Sequence, residues 1–170
     1  MITSKKPLTI CGRIVEGLRE AGNFTQVPWV KNQFISKLSI DPYPGTLNLE
    51  VAPEDLDEFK TLKKAEGIEI VPEDPSFCSA RCYLVLIGHC PHSSPPPRCL
   101  PAEASAQAGG RVREGVTKRL RAAIVLPLVE NYPKNKMELI APLNIKEALH
   151  LKTGDVVEVE VIEQKAEGSK

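Results

Sequence analysis

Apolar and polar positions alternate in short runs along most of this chain, and the alternation predicts strands. Between residues 46 and 51, Leu47, Leu49 and Val51 alternate with Thr46, Asn48 and Glu50, the period of a strand with one buried face. Residues 8–16, 68–71, 77–87, 121–128, 138–142 and 156–162 read as further strands, 77–87 being strongly apolar. Other stretches carry helical spacing. In residues 28–38, Pro28 suits a first helical position, and Val30, Phe34 and Leu38 fall on one face. Residues 53–65 open on Pro53, Glu54 and Asp55 and carry Lys60, Lys63 and Lys64 towards the end, matching the helix dipole, with Gly67 as the stop. Asn144 caps a short helix running to about residue 149, with Glu147 in the capping-box position. About six strands, few short helices and conspicuous loops predict a mainly β fold, a small closed barrel rather than a parallel α/β sheet.

The periodicity stops at residues 88–118, where Pro91, Pro95, Pro96, Pro97, Pro101 and the Gly109-Gly110 pair fall in a stretch of neither period. That stretch reads as a flexible insertion in one domain spanning 1–170, and residues 163–170 as a polar tail. The 170 residues suffice for a core without disulfides, and the five cysteines are expected to be reduced thiols. Lys plus Arg equals Asp plus Glu, so the formal net charge is zero, which argues against nucleic acid as a partner. No apolar run has the length of a membrane span, and the N-terminus lacks a signal-peptide core, so the expectation is a cytoplasmic protein without a membrane partner, acting as a monomer.

The candidate chemistry centres on residues 41–51. Pro42 and Pro44 forbid helix, and Gly45 can take a positive φ or let a phosphate approach the backbone. Thr46 and Asn48 then project from one face of the strand. A hydroxyl and an amide carbonyl so placed are two neutral oxygen ligands for a hard cation such as Mg²⁺, or simply the polar outer face of a strand. Gly12 lies inside the first strand, as at a bulge or a close backbone approach. Gly17 and Gly22 follow it at a spacing reminiscent of a phosphate loop, but Asn23 and Phe24 stand where a P-loop needs Lys and Ser or Thr. The chain is therefore not a P-loop NTPase, though such a loop could still offer N–H groups to phosphates, or be a plain hairpin connection. Trp29 and Phe34 could flank a flat ligand or pack into the core. Cys78, Cys82, His89, Cys90, His92 and Cys99 crowd into 22 positions, but without paired knuckle spacing; zinc ligation and incidental placement both fit.

Several segments together resemble the archaeal-type CTP-dependent riboflavin kinase family. They are Gly12-Arg13-Ile14-Val15-Glu16-Gly17, Ala21-Gly22-Asn23-Phe24, Pro42-Tyr43-Pro44-Gly45-Thr46-Leu47-Asn48-Leu49, Ala123-Ile124-Val125, Glu138-Leu139-Ile140-Ala141-Pro142, and Leu149 through Val157. The resemblance implies a closed six-stranded cradle-loop barrel that moves the γ-phosphate of CTP to the 5′-hydroxyl of riboflavin, giving FMN and CDP. It implies Thr46 and Asn48 as Mg²⁺ ligands. For the nucleotide it implies Gly12 and the loop of Gly17, Leu18, Arg19, Glu20, Ala21, Gly22, Asn23 and Phe24; for the flavin, Asn131, Tyr132 and Glu138. The chain departs from the family in two places. Val129, Glu130 and Asn131 stand where a Thr-His run is typical, although Tyr132 matches; Glu130 becomes the candidate catalytic base, or a group that binds a base edge or sugar hydroxyl. The insertion at 88–118 is unlike the family's short connection. The first departure keeps a second expectation open, a non-catalytic flavin- or nucleotide-binding barrel.

Overall fold

A computed structural model describes residues 6–17, 24–91 and 118–162. The elements run β1 (Thr9–Val15), α1 (Pro28–Leu38), β2 (Leu47–Val51), a 3₁₀ turn (Pro53–Asp55), α2 (Leu56–Lys64), β3 (Ile68–Ile70), β4 (Ala80–His89), β5 (Leu120–Pro127), β6 (Lys136–Ile140), α3 (Ile145–Ala148) and β7 (Val156–Val161). The strands form one sheet in the order β3-β4-β5-β6-β2-β1-β7, and a further pairing of β4 with β7 closes it. Six strands make the barrel, all paired antiparallel, and β3 is added outside the ring against the first residues of β4. The mainly β, closed six-stranded expectation holds.

Alternation decides what fills the ring. Ile10 and Ile14 of β1, Leu49 of β2, Val85 and Ile87 of β4, Leu139 of β6 and Val157 and Val159 of β7 are all buried in the interior cluster. Gly12 lies in the same inward row. It makes no bulge, pairing in register with Val51 and Val157, but a Cβ there would stand 3.1 Å from Leu49 Cβ, so the close approach is real. The strands β4 and β5 are buried on both faces, which is why their sequences read as nearly unbroken apolar runs. Their outer faces carry α1. Val30, Phe34 and Leu38 pack with Ile40, Ile70, Cys82, Ala123, Val125 and Ile140 in a second cluster.

The helix is held by its ends and by polar side chains. Pro28 occupies the first turn, and Ser39 ends the helix at φ 55°, its N–H donating to Ile35 O at 3.1 Å. On its outer side Gln33 exchanges two hydrogen bonds with Val71, Nε2 to Val71 O at 2.7 Å and Val71 N to Oε1 at 3.0 Å. Lys37 Nζ donates to Glu69 O at 2.7 Å. Asn144 caps α3 by accepting from Glu147 N at 3.4 Å.

The structure shifts some expected boundaries. The apolar run at 77–87 becomes a strand only at Ala80, and Phe77 and Cys78 are exposed in the preceding loop. Residues 53–65 split into a 3₁₀ turn and α2. Most of the expected insertion, residues 92–117, and the tail lie outside the described residues. Among the described residues no helix is long and apolar enough to cross a membrane.

Phe34 anchors α1 with no exposed surface. Phe34→Ala is expected to lower unfolding free energy by about 3–5 kcal/mol, read as a lower urea midpoint; an unchanged midpoint would mean that α1 contributes little to the fold.

Candidate active site

The turn before β2 is built from backbone restraints. Gly45 adopts φ 125°, a conformation that side chains disfavour. Its N–H donates to the Thr25 hydroxyl at 3.4 Å, and Gln26 Nε2 donates to Pro42 O at 3.0 Å. Tyr43 N donates to Ala141 O at 2.8 Å, joining the turn to the segment after β6. Thr25 is 1% exposed, one of two buried polar side chains among the described residues. Sequence reasoning passed over it, because a lone Thr beside a helix start carries no periodic signal.

The other buried polar side chain is Asn48. Strand alternation turns it outward, between Leu47 and Leu49, yet it is only 8% exposed. Gly17 covers it. A Cβ at Gly17 would stand 2.0 Å from Asn48 Nδ2, so the chain leaving β1 can lie on the amide only because residue 17 has no side chain. Asn48 pairs with Val15 on β1 and with Glu138 on β6. Directly paired residues share a face, so the Glu138 side chain stands beside Asn48. Asn48 Nδ2 reaches Thr46 Oγ1 at 3.4 Å. Thr46, Asn48, Gly17 and Glu138 therefore converge on one patch of the barrel wall.

Two spaces open from that patch. A small cavity of about 60 Å³ lies between Thr46, Glu138, Phe24, Cys78 and Pro127. Phe24, which lines it, packs with the rings of Trp29 and Phe77 at centroid distances of 5.5–6.3 Å, and Trp29 joins this trio while Phe34 goes into the core. On the other side of Thr46 is a cleft of about 330 Å³, lined in part by Tyr43, Gly45, Asn144 and Lys146. Lys146 Nζ donates to Thr153 Oγ1 at 3.1 Å and stands 3.9 Å from the Glu16 carboxylate, which accepts from Thr153 Oγ1 at 2.6 Å. A cation thus stands next to the start of the glycine loop. Asn144 and Lys146 were legible in the sequence only as a cap and a helix residue.

Tyr132 donates to Glu138 Oε1 at 3.3 Å. Burial, then the Glu138 charge and this hydrogen bond, push the Tyr132 phenol above its usual range. Glu130 and Asn131 are exposed in the turn between β5 and β6 and are not drawn into the cavity, whose carboxylate is Glu138. Gly12 makes its close contacts with Leu49 and Glu50 rather than with Asn48. The loop residues Leu18, Arg19, Glu20, Ala21, Gly22 and Asn23 lie outside the described residues.

The described cysteines and histidine of the suspected zinc cluster are scattered. Cys78 is exposed, and His89 Nε2 bonds Leu149 O at 3.1 Å. Cys82 is buried under α1, where burial pushes its thiol up to about 12, away from the thiolate that ligates a metal. Cys90 lies against Cys11. Among the described residues no three His, Cys, Asp or Glu side chains form a group able to hold a metal ion; His92 and Cys99 lie outside them.

Comparison with known proteins adds a family. The model CTP-dep_RFKase, described as domain of unknown function DUF120, matches residues 14–97 and 100–161. A riboflavin kinase of Methanocella arvoryzae is 31% identical over 148 residues, covering 87% of this chain and 54% of that protein. The riboflavin kinase of Methanosarcina barkeri is 26% identical over 166 residues, 96% of this chain and 60% of the relative. That of Archaeoglobus fulgidus is 29% identical over 158 residues, 91% and 55%. The chain thus spans 54–60% of the length of these curated relatives.

The Tyr132–Glu138 pair has a pH signature. The folded phenol holds its proton to higher pH than the unfolded one, so its contribution is fully present below about pH 10 and is lost as pH rises towards the folded value. Unfolding free energy is therefore expected to fall as pH rises above about 10, and to fall less in Tyr132→Phe. Equal declines in the two proteins would remove the pair from the pH response.

Proposed function

We propose, from the premise that this chain belongs to the archaeal-type CTP-dependent riboflavin kinase family, that it transfers the γ-phosphoryl group of CTP to the 5′-hydroxyl of riboflavin. The products are FMN and CDP. The observation that carries this reading is the seating of Gly17 on Asn48 beside Thr46. It puts Gly17 next to two neutral oxygen-bearing side chains on a rigid strand.

Phosphoryl transfer asks a protein for positioning and charge neutralisation more than for covalent chemistry. The donor set at Thr46 and Asn48, a hydroxyl and an amide, fits a hard cation that keeps waters and phosphate oxygens as its remaining ligands. These two residues would hold Mg²⁺, which when bound neutralises phosphate charge. The backbone from Gly17 onward would donate to the phosphates, with Phe24 at the far end of that loop. Lys146 and Asn144 line the cleft on the Thr46 side, and we assign that cleft to the nucleotide. Gly12 serves from behind, letting β1 lie close on β2.

The flavin is assigned to the surface beside the hydrogen-bonded pair of Glu138 and Tyr132. Phe77, Leu128 and Val129 are exposed apolar side chains, and Phe77 with Phe24 and Trp29 offers a wall for an aromatic ring system. Glu138 would accept a substrate hydroxyl, oriented by its hydrogen bond from Tyr132. Glu130 and Asn131 would act from the rim, Glu130 as the base if the bound ribityl chain reaches it. On this reading the protein acts in the cytoplasm, a compartment that keeps thiols reduced.

The departure at Val129, Glu130 and Asn131 favours a second reading, a barrel that binds flavin or nucleotide without turnover. Incubation with riboflavin, Mg²⁺ and each of CTP, ATP, GTP and UTP separates the two. FMN formed with CTP alone is the expected result; binding of flavin or CDP with no FMN from any nucleotide would establish the second reading. Asn48→Ala is expected to stay folded by circular dichroism and to lose FMN formation by at least about 100-fold. Wild-type rates in that variant would remove the metal assignment.

A further inference from the structure

On the outer wall of the barrel two cysteines meet. Cys11 is in the middle of β1 and Cys90 directly follows β4. These strands are not neighbours; β7 lies between them, with Glu158 paired to both Cys11 and Gly88. Where β4 ends, Cys90 N donates to Val156 O at 3.4 Å, and its side chain reaches Cys11 across the beginning of β7. The Sγ atoms stand 3.0 Å apart, within about 1 Å of the bonded distance. Seventy-nine positions separate the two residues in the chain.

The surroundings add two facts. A groove of about 630 Å³ opens onto the pair, lined in part by Arg13, Glu50, Pro53, Asp55 and Asn135, so a small solute can reach the sulfurs. The backbone at Cys11 is also fixed, its N–H donating to Asp55 Oδ2 at 2.6 Å. Two thiols held face to face on a clamped strand, with an open approach, have lost most of the freedom that disulfide formation would otherwise cost.

We propose that Cys11 and Cys90 are a disulfide site, closed by a peroxide-class oxidant into a staple that joins β1 to the end of β4 across β7. One Sγ, as thiolate, attacks a peroxide oxygen; the O–O bond breaks and a sulfenic acid forms while the other oxygen leaves as water. The second Sγ attacks the sulfenic sulfur, the S–S bond forms, and a second water leaves. The two thiols give up two electrons and two protons, and hydrogen peroxide becomes two waters. Burial, the neighbouring Cys90 thiol and the carboxylates of Asp55 and Glu158 push the Cys11 thiol up, so thiolate is scarce at neutral pH and the reaction is slow but quickens with pH. The staple is thus a lasting lock under oxidative exposure rather than a fast sensor, and it does not depend on the kinase reading.

The test is to treat the purified chain with hydrogen peroxide at pH 7 and pH 9, alkylate, and map peptides without reduction. The expected product is a Cys11–Cys90 cross-linked peptide, a mass loss of about 2 Da, faster formation at pH 9, reversal by dithiothreitol, and a Tm raised by up to about 10 °C. Cys11→Ser is expected to abolish both the cross-link and the Tm rise. A Cys78→Ser/Cys99→Ser variant keeps the test clean of competing thiols. In that variant, Cys11 and Cys90 both still open to alkylation after full peroxide exposure would overturn the proposal, as would an oxidised form with a lower Tm.

Discussion

Closure of the ring by β7 is the constraint on which the other features depend. The last strand pairs with β1 along one edge and with β4 along the other, so the barrel is complete only when the two ends of the chain's β structure meet. Once it is closed, inward and outward positions are fixed on every strand, because a one-residue slip would turn an entire apolar row to the outside. Leu47, Leu49 and Val51 then face in, and Thr46, Asn48 and Glu50 must face out. The same closure makes β1 and β4 next-nearest neighbours around β7, which is how Cys11 and Cys90 come to touch.

The candidate site lies on the outer surface of this ring, and it departs from an ordinary strand face at one point. An outward Asn on a strand normally meets water. Asn48 instead meets backbone, and the absence of a side chain at Gly17 is what allows it. Polar groups buried in this way are held in place by their hydrogen bonds and cannot easily rearrange. That rigidity suits a reaction governed by the placement of charge, where reorganisation during the chemical step is costly. The turn at Gly45 is held to the same standard by Thr25 and Gln26 from the segment before α1.

Much of the fold was legible from local patterns. Pro28 with Val30, Phe34 and Leu38 predicted α1 to the residue, and the alternation around Leu47, Leu49 and Val51 predicted β2. The Asn144 cap was visible in the same way. The start of β4 was not, because Phe77 and Cys78 are apolar yet lie in the loop, where Phe77 packs on Phe24 and Trp29 instead of joining the ladder. In the site, Thr46 and Asn48 were legible because strand period places them on one face. What escaped was non-local: that Gly17 covers Asn48, that Glu138 rather than Glu130 lines the cavity, that Lys146 approaches Glu16, and that Thr25 ties down the turn. Each of these joins residues far apart in sequence, and no spacing rule brings them together.

The short strand β3 has a consequence for how copies of this molecule meet. A ring has no open edge, but a strand added outside it exposes one, and unpaired backbone groups on such an edge are a template for another chain. Here the edge is three residues long, and α1 occupies it. The Gln33 amide bonds both the N–H and the carbonyl of Val71, as a neighbouring strand would, and Lys37 takes the carbonyl of Glu69 while adding a positive charge. An incoming strand would have to displace a side-chain amide that already satisfies the same atoms and bury a lysine as well. The helix that completes the outer core thereby also guards the molecule against sheet-to-sheet aggregation.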